Sequence, residues 1–318
     1  MRNGECNFFA SFELRVVSMK YINRLFKLFY WPICRAYARH IINDKPADSI
    51  YRFLCGLQFI KTHHFWPNFI KPQRFSEKIW SRMLNNRNPQ LTLLNDKLHV
   101  RDFVASRVGS DYLIPILWKG GNPENIPFED LPPKFVIKAT HGCDYNILVK
   151  NKELIDKKKI RLQLAKWLKT NYCQSFLIGV EWGYKNIKPY IIIESFIGDT
   201  EKAPTDYKFY CFSGRVEFVT VHFDRFIEHK TRSFNRDFNP YDFTYHFNQW
   251  DGECLRPQNF NTMINLAEAL SDGIDFIRVD LYNVSGRIYF GELTPYPGGV
   301  STRFLPASRD YALGEKWK

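Results

Sequence analysis

The sequence predicts an α+β protein of two lobes, because helices and antiparallel strands occupy separate blocks of the chain and do not alternate as βαβ units. Three observations carry that prediction. Residues 48–104 place their apolar side chains mostly at helical spacing. The stretches 134–149 and 276–294 each join two strand-like runs through a glycine-bearing turn, the pattern of a hairpin. At 318 residues, 45% apolar and 17% aromatic, the chain is long and greasy enough to bury more than one core, which excludes a disordered tail protein.

Residues 1–18 carry no clear periodicity, and Met19 reads as an alternative start. Over 21–41, Leu25, Phe26, Leu28, Phe29, Tyr30, Trp31 and Ile33 interleave with Arg24, Lys27, Arg35 and Arg39. Such a segment either lies on an anionic leaflet or packs on the protein with its basic groups outward, and Pro32 prevents one straight helix. Charge within the apolar stretch and the lack of a small-residue cleavage site argue against a signal peptide. Phe75 opens a helix with Ile79, Met83 and Leu84 on one face, and Leu94 to Val104 forms another with Asn95 as its cap and Gly109 at its end. A short strand is expected over 112–115, the first hairpin over 134–149, and a charged helix over 152–170. The most apolar strand follows over 190–198, and then a hairpin of 207–212 and 216–222 turning at Ser213-Gly214. A helix over 263–271 precedes the last hairpin, which turns at Ser285-Gly286. These elements divide the chain into a basic, aromatic helical extension (1–70), a first lobe (71–190) and a second lobe (191–318).

A net charge of +12 suits nucleic acid, anionic membranes or phosphorylated small molecules. The positive residues are spread along the whole chain without a nucleic-acid-binding motif, so nucleic acid is not the expected partner. Seven cysteines, odd in number and never spaced C-x-x-C, fit a reducing cytoplasm and not a disulfide framework or zinc ribbon. No run of about 18 uncharged apolar residues is present, which excludes a conventional spanning helix. The expected location is therefore the cytoplasm, with the 21–41 segment able to hold the protein at the inner face of the membrane.

The last hairpin is the strongest chemical signal. Arg278 and Asp280 lie two apart on one strand, and Glu292 and Thr294 two apart on its partner, so each pair shares a face. Two carboxylates and a neutral oxygen are hard ligands of the kind Mg²⁺ takes beside waters and phosphate oxygens, and Arg278 could hold negative charge next to them. Cross-strand salt bridges on a surface sheet would use the same residues. Lys138 ends an apolar strand just before Thr140-His141-Gly142, where an ammonium can reach a phosphate while loop N–H groups close over it. For Lys138, as for Lys97 and Lys208, a solvent-facing surface lysine is the competing reading. Glu194 and Ser195 end the most apolar strand, in a position to offer a carboxylate to a ribose and backbone groups to an adenine edge. His141 beside Cys143 also suggests a base and a nucleophile, but no third orienting residue is identifiable.

Taken in order, these residues resemble the ATP-grasp superfamily, and within it the TupA-like branch of polysaccharide- and teichuronopeptide-type biosynthesis proteins. The resemblance rests on Phe75-Ser76-Glu77-Lys78, Asn95-Asp96-Lys97, the run from Phe135 through Gly142, the run from Asp206 through Gly214, the run from Val279 through Asn283, and the run from Tyr289 through Gly299. It covers about residues 70–314. It implies two α+β lobes clasping ATP: Lys97, Lys138, Thr140, His141, Gly142 and Lys208 at the phosphates, and Glu194 with Ser195 along the nucleoside. Asp280, Glu292 and Thr294 would hold Mg²⁺, with Arg278 and Lys208 steadying the transferring phosphoryl. Thr294 stands where many relatives have Asn. Asp144 follows the loop where a second glycine is expected, and its charge would repel a triphosphate unless it turns outward.

The implied activity is an ATP- and Mg²⁺-dependent carboxylate–amine ligase acting on a cell-surface polysaccharide, with a uronic acid or sugar precursor as carboxylate and an amino acid as amine. A nucleotide-sugar glycosyltransferase and a non-catalytic ATP-grasp scaffold are the alternatives.

Overall fold

A computed structural model describes residues 49–175, 181–198, 204–223, 229–241, 244–245, 248–298 and 303–318. The basic-aromatic segment at 21–41, the alternative start Met19, and Gly299 of the last motif lie outside the described residues.

Four helices lead the described chain: α1 (Ser49–His63), α2 (Phe75–Asn85), α3 (Gln90–Asn95) and α4 (Val100–Val108). Helix α2 buries Phe75, Ile79, Trp80, Met83 and Leu84, the face its spacing predicts. Its opening motif is structural. Glu77 accepts backbone N–H groups from Asn68, Gln73 and Arg74, while Ser76 is tied to Asp310 through its N–H and its hydroxyl. The helix expected over 94–104 is broken. It stops at Asn95 and resumes at Val100, because the Asp96 carboxylate accepts the N–H groups of Leu98 and His99 and turns the chain. Asn95 is therefore not the cap; its side chain donates back to Leu91 O.

The first sheet has four antiparallel strands in the order β1-β4-β2-β3: β1 (Ile116–Gly120), β2 (Phe135–Ala139), β3 (Asn146–Val149) and β4 (Ile191–Ser195). Pro115 stands before β1, and of the residues expected as a strand at 112–115 only Leu113 makes a bridge, to Phe290. Helix α5 (Lys157–Leu168), capped by Asp156 accepting from Lys159 N–H, lays Ile160 and Leu164 on Phe135, Ile137, Ile191 and Ile193. A single turn, α6 (Tyr172–Ser175), follows. Because β4 pairs with β1 and β2, the boundary between the two sheets falls after Ser195, and the division at 190/191 cuts one strand too early.

The second sheet has six strands in the order β11-β10-β5-β6-β7-β9, antiparallel except for β7–β9: β5 (Asp206–Phe212), β6 (Arg215–Phe223), β7 (Lys230–Asn235), β9 (Asn248–Gln249), β10 (Phe276–Val284) and β11 (Arg287–Thr294). Two-residue turns join β5 to β6 and β10 to β11, with positive φ at both Ser213-Gly214 and Ser285-Gly286, as tight hairpins require. β8 (Thr244–Tyr245) pairs with β12 (Phe304–Leu305). Alternation along β5 and β10 splits the sheet chemically. Phe209, Cys211, Ile277, Val279 and Leu281 pack on helix α7 (Phe260–Ser271), whereas Asp206, Lys208, Arg278 and Asp280 point the other way.

Helix α8 (Ala307–Lys316) closes the chain against α2. Arg82 of α2, buried, donates to Phe276 O, Pro295 O and Asp275 while its guanidinium stacks over Trp317, so it fastens α2 to the end of β10. No described helix is long and apolar enough to cross a membrane.

Candidate functional site

Register puts the charged residues of the second sheet in one row. Lys208 stands opposite Asp280, and Asp280 opposite Glu292; Arg278 stands opposite Thr294. The Lys208 ammonium lies 2.6 Å from Asp206 and 2.5 Å from Asp280. Arg278 reaches Asp280 through Nε (2.6 Å) and Nη2 (2.7 Å), and Nη2 also donates to Glu292 (2.9 Å) and Thr294 (3.1 Å). Burial pulls the Lys208 ammonium down, but Asp206 and Asp280 outweigh it and hold the group above the ordinary lysine range. A lysine so placed is not a surface lysine. A bulge after Asp280 sits beside Gly291, where a Cβ would come to 3.0 Å from Asp280 O, so any larger residue would press the two strands apart by a few tenths of an ångström.

The first sheet carries a second cluster. Lys138 is on β2, an interior strand, and its ammonium lies 2.6 Å from Glu194 on β4. Glu194 is also held by Arg101 of α4 at 3.1 Å, and Arg101 in turn donates to Ile114 O. Ser195, half-buried, donates its backbone N–H to Pro115 O.

Lys97, leaving the Asp96 turn, donates to Gly142 O at 2.6 Å and so clamps the β2–β3 loop. Within that loop Thr140 and His141 turn inward. The Thr140 hydroxyl accepts Tyr190 N–H, and His141 Nε2 donates to Trp167 O. Their side chains serve the fold, and the loop presents backbone and Gly142. A Cβ on Gly142 would strike Tyr172 at 2.8 Å and Tyr145 at 2.9 Å. Asp144 is exposed and at φ +57°, a conformation Asp adopts without a Cβ penalty as large as other residues pay, so it turns its charge to solvent.

The Cys143–His141 pairing does not form a nucleophile and base. Burial, with Glu181 adding to it, pushes the Cys143 thiol up to about 12, and its sulfur pairs with the Tyr184 hydroxyl at 2.9 Å. His141 meanwhile is drawn below its usual range, by burial first.

Three participants escaped the sequence reading. Asp206 lies two residues before Lys208 on the same strand, a spacing that signals a shared face. Arg101 lies four residues after Lys97, one helical turn by count. Glu181 opens Glu181-Trp182-Gly183-Tyr184, a turn that carries no chemical signature in sequence. A groove of about 680 Å³ opens beside it, lined by Trp182, Arg87, Leu93, Asp96, Ile187 and Lys188.

Comparison with known proteins follows the same residues. The profile of the family described as TupA-like ATPgrasp matches residues 77–318.

The chain belongs to the TupA-like ATP-grasp family.

Its α+β architecture of two main, largely antiparallel sheets with packed helices agrees with that membership. Among solved structures, the chain is similar to the ATP-grasp ligase PsnB complexed with a phosphomimetic variant of its minimal precursor, Mg and ADP (12% identity, 72% of this chain and 61% of that one, TM-score 0.40). It is also similar to D-alanine–D-alanine ligase from Bacillus anthracis complexed with ATP (12%, 66% and 56%, 0.39). A third similar structure is the ADP complex of purK, an N5-carboxyaminoimidazole ribonucleotide synthetase (12%, 65% and 46%, 0.41). The chain spans roughly half to three-fifths of the length of these proteins. No curated protein matches it.

Proposed function

We propose that this TupA-like ATP-grasp protein is an ATP- and Mg²⁺-dependent ligase that joins a carboxylate to an amine through an acyl phosphate, in the assembly of a cell-surface polysaccharide. The row Lys208–Asp280–Glu292, with Asp206, Arg278 and Thr294 around it, carries the reading. It sets three carboxylates against two cations, leaving one negative charge uncompensated. The cluster on the first sheet is opposite in sign: Lys138 and Arg101 share the single carboxylate of Glu194. One sheet therefore favours an added cation and the other an added anion, and a metal–polyphosphate supplies both.

The donor set fits Mg²⁺ held jointly with phosphate. Among the described residues no group of three or more His, Cys, Asp or Glu could hold a metal ion alone, and Mg²⁺ commonly uses one or two carboxylates with phosphate oxygens and water. Glu292 is the open ligand, its side chain 40% exposed, whereas both oxygens of Asp280 are taken by Arg278 and Lys208. Glu292 and Asp280 would hold the ion, with Thr294 as a neutral donor, and it would offset charge on the phosphate oxygens.

Lys138, Lys97 and the backbone of the Gly142 loop would bind phosphates, Glu194 and Ser195 the nucleoside, and Lys208 with Arg278 would orient the transferring group. The chemistry needs this arrangement. A carboxylate is a poor acceptor for an amine, since its leaving oxygen is bad and its charge repels nucleophiles. Phosphorylating it creates a good leaving group, and phosphoryl transfer is mainly positioning and charge neutralisation. The resemblance of the motifs to teichuronopeptide-type proteins supports a uronic acid as carboxylate and an amino acid as amine.

Thermal stabilisation tests the reading. ATP with Mg²⁺ at about 100 times its Kd should stabilise the protein by roughly 2.7 kcal/mol, with no such shift from UDP-sugars or from either component alone. A shift with UDP-sugars and none with ATP would assign the site to glycosyl transfer; no shift with any nucleotide would leave a scaffold. Location at the membrane is tested by deleting residues 1–40 and measuring partition onto anionic vesicles, where an unchanged partition would remove it.

A further inference from the structure

Among the described residues, one buried acid has no structural employment. Glu181 is 6% exposed, yet among the described residues its carboxyl makes no hydrogen bond and no ion pair. Every other buried acid described accepts a hydrogen bond or pairs with a cation: Glu77 and Asp96 hold backbone N–H groups, Asp310 the Ser76 hydroxyl, and Glu194, Asp206 and Asp280 a lysine or arginine. The next residue, Trp182, lines the groove of about 680 Å³ that opens beside this turn. An unpaired buried carboxyl opposes folding, and proteins retain such groups mainly where a ligand completes them.

Its neighbours define what would complete it. Tyr184 donates its N–H to Glu181 O within the turn, Tyr172 from α6 packs on the Tyr184 ring, the Cys143 thiol from the β2–β3 loop pairs with the Tyr184 hydroxyl, and Tyr296 just beyond β11 meets Gly183. Arg82, the guanidinium whose charge reaches Tyr296, is itself taken by Asp275. Three tyrosines and a carboxyl make a site for a cation: π faces and hydroxyl oxygens attract an ammonium that the carboxylate then pairs. The rings are fixed. Tyr172 and Tyr184 lie 4.8 Å apart, and Gly183 N–H donates to the Tyr296 hydroxyl. Gly183 itself has no room for a Cβ, which would fall 2.4 Å from Asn95 Nδ2.

The site also faces the metal row. Gly183 N–H of the Glu181 turn donates to the hydroxyl of Tyr296, two residues beyond Thr294, so the turn packs against the end of the strand that carries Glu292.

We propose that Glu181 is the binding residue for the amine co-substrate, an amino-acid ammonium that it pairs among Tyr172, Tyr184 and Tyr296 beside the Glu292 row. The proposal rests on the ligase reading. In it, R–NH₃⁺ on Glu–COO⁻ yields R–NH₂ and Glu–COOH, so the nitrogen lone pair is freed where an acyl phosphate would stand. The amine nitrogen bonds to the carbonyl carbon, the carbon–oxygen bond to phosphate breaks, and the second proton leaves with the phosphate.

The test is thermal stabilisation of wild type and Glu181→Gln by each of the twenty common amino acids and D-alanine, with Mg²⁺ and AMPPNP present. At least one amino acid should stabilise wild type, and Glu181→Gln should bind it roughly 100-fold more weakly while responding to Mg²⁺–AMPPNP as wild type does. Wild-type affinity should climb with pH until the carboxyl, raised by burial to about 8, is ionised, and the variant should show no such climb. Equal responses in the two proteins, or no amino-acid response in a wild type that still binds Mg²⁺–AMPPNP, would overturn the amine site and leave the ligase reading standing. A wild type indifferent to Mg²⁺–AMPPNP would overturn both.

Discussion

Replacing Glu181 by Gln should make the protein more stable, by an amount that depends on pH in a defined way. Burial raises the Glu181 carboxyl from 4.5 to about 8. Between these values the native protein holds a proton that the unfolded chain has lost, so stability falls as pH rises, by about 1.4 kcal/mol per pH unit. This is the reverse of the usual salt-bridged carboxylate, whose stabilisation is lost as pH falls. The accumulated cost is roughly 3 kcal/mol at pH 7 and approaches roughly 5 kcal/mol above pH 8, where it levels off. Gln has the same shape and no proton to lose, so Glu181→Gln should exceed wild type by those amounts and match it near pH 4.5. Urea unfolding followed by tryptophan fluorescence, run on both proteins across that range, gives the difference directly, and subtraction cancels the groups the two share. A difference that stays flat with pH would mean that the Glu181 proton has nothing to do with burial. A difference of opposite sign would mean that the carboxylate is paired in solution, and the amine site would lose its basis.

Three further outcomes are expected. Lys208→Met removes the ammonium shared by Asp206 and Asp280, leaves two buried carboxylates facing each other, and should cost about 3–5 kcal/mol in urea unfolding. Glu292→Gln should leave unfolding within about 0.5 kcal/mol of wild type while removing Mg²⁺-dependent nucleotide turnover, because the side chain is 40% exposed and lies outside the cores; unfolding of that variant would make Glu292 a structural partner instead. Gly314→Ala places a Cβ 1.9 Å from the Gln73 carbonyl oxygen, so α8 must back away from α2, and a loss of about 3 kcal/mol or more should appear as a lowered melting temperature.

Much of the fold and site was legible along the chain because it depends on period and on neighbours in sequence. The two-residue spacing of Arg278 and Asp280, and of Glu292 and Thr294, put each pair on one face, and the hairpin register did bring Asp280 and Glu292 opposite each other. The hydrophobic face of α2 and the tight turns at Ser213-Gly214 and Ser285-Gly286 followed from equally local rules. The family resemblance, carried by short motifs in order, also needed only the sequence.

The tertiary structure alone decided which sheet β4 joins, since an apolar strand of Ile191 to Ser195 suits the middle of either and its partners lie some fifty to eighty residues earlier. It decided that Lys208 is clamped by Asp206 as well as Asp280, and that Thr140 and His141 turn inward to Tyr190 and Trp167. It also revealed Glu181, an ordinary Glu in the sequence. A carboxyl's protonation is set by how much water surrounds it and which cations reach it. Both are sums over neighbours drawn from distant parts of the chain, and only folding brings Cys143, Tyr172 and Tyr296 to the turn that Glu181 opens.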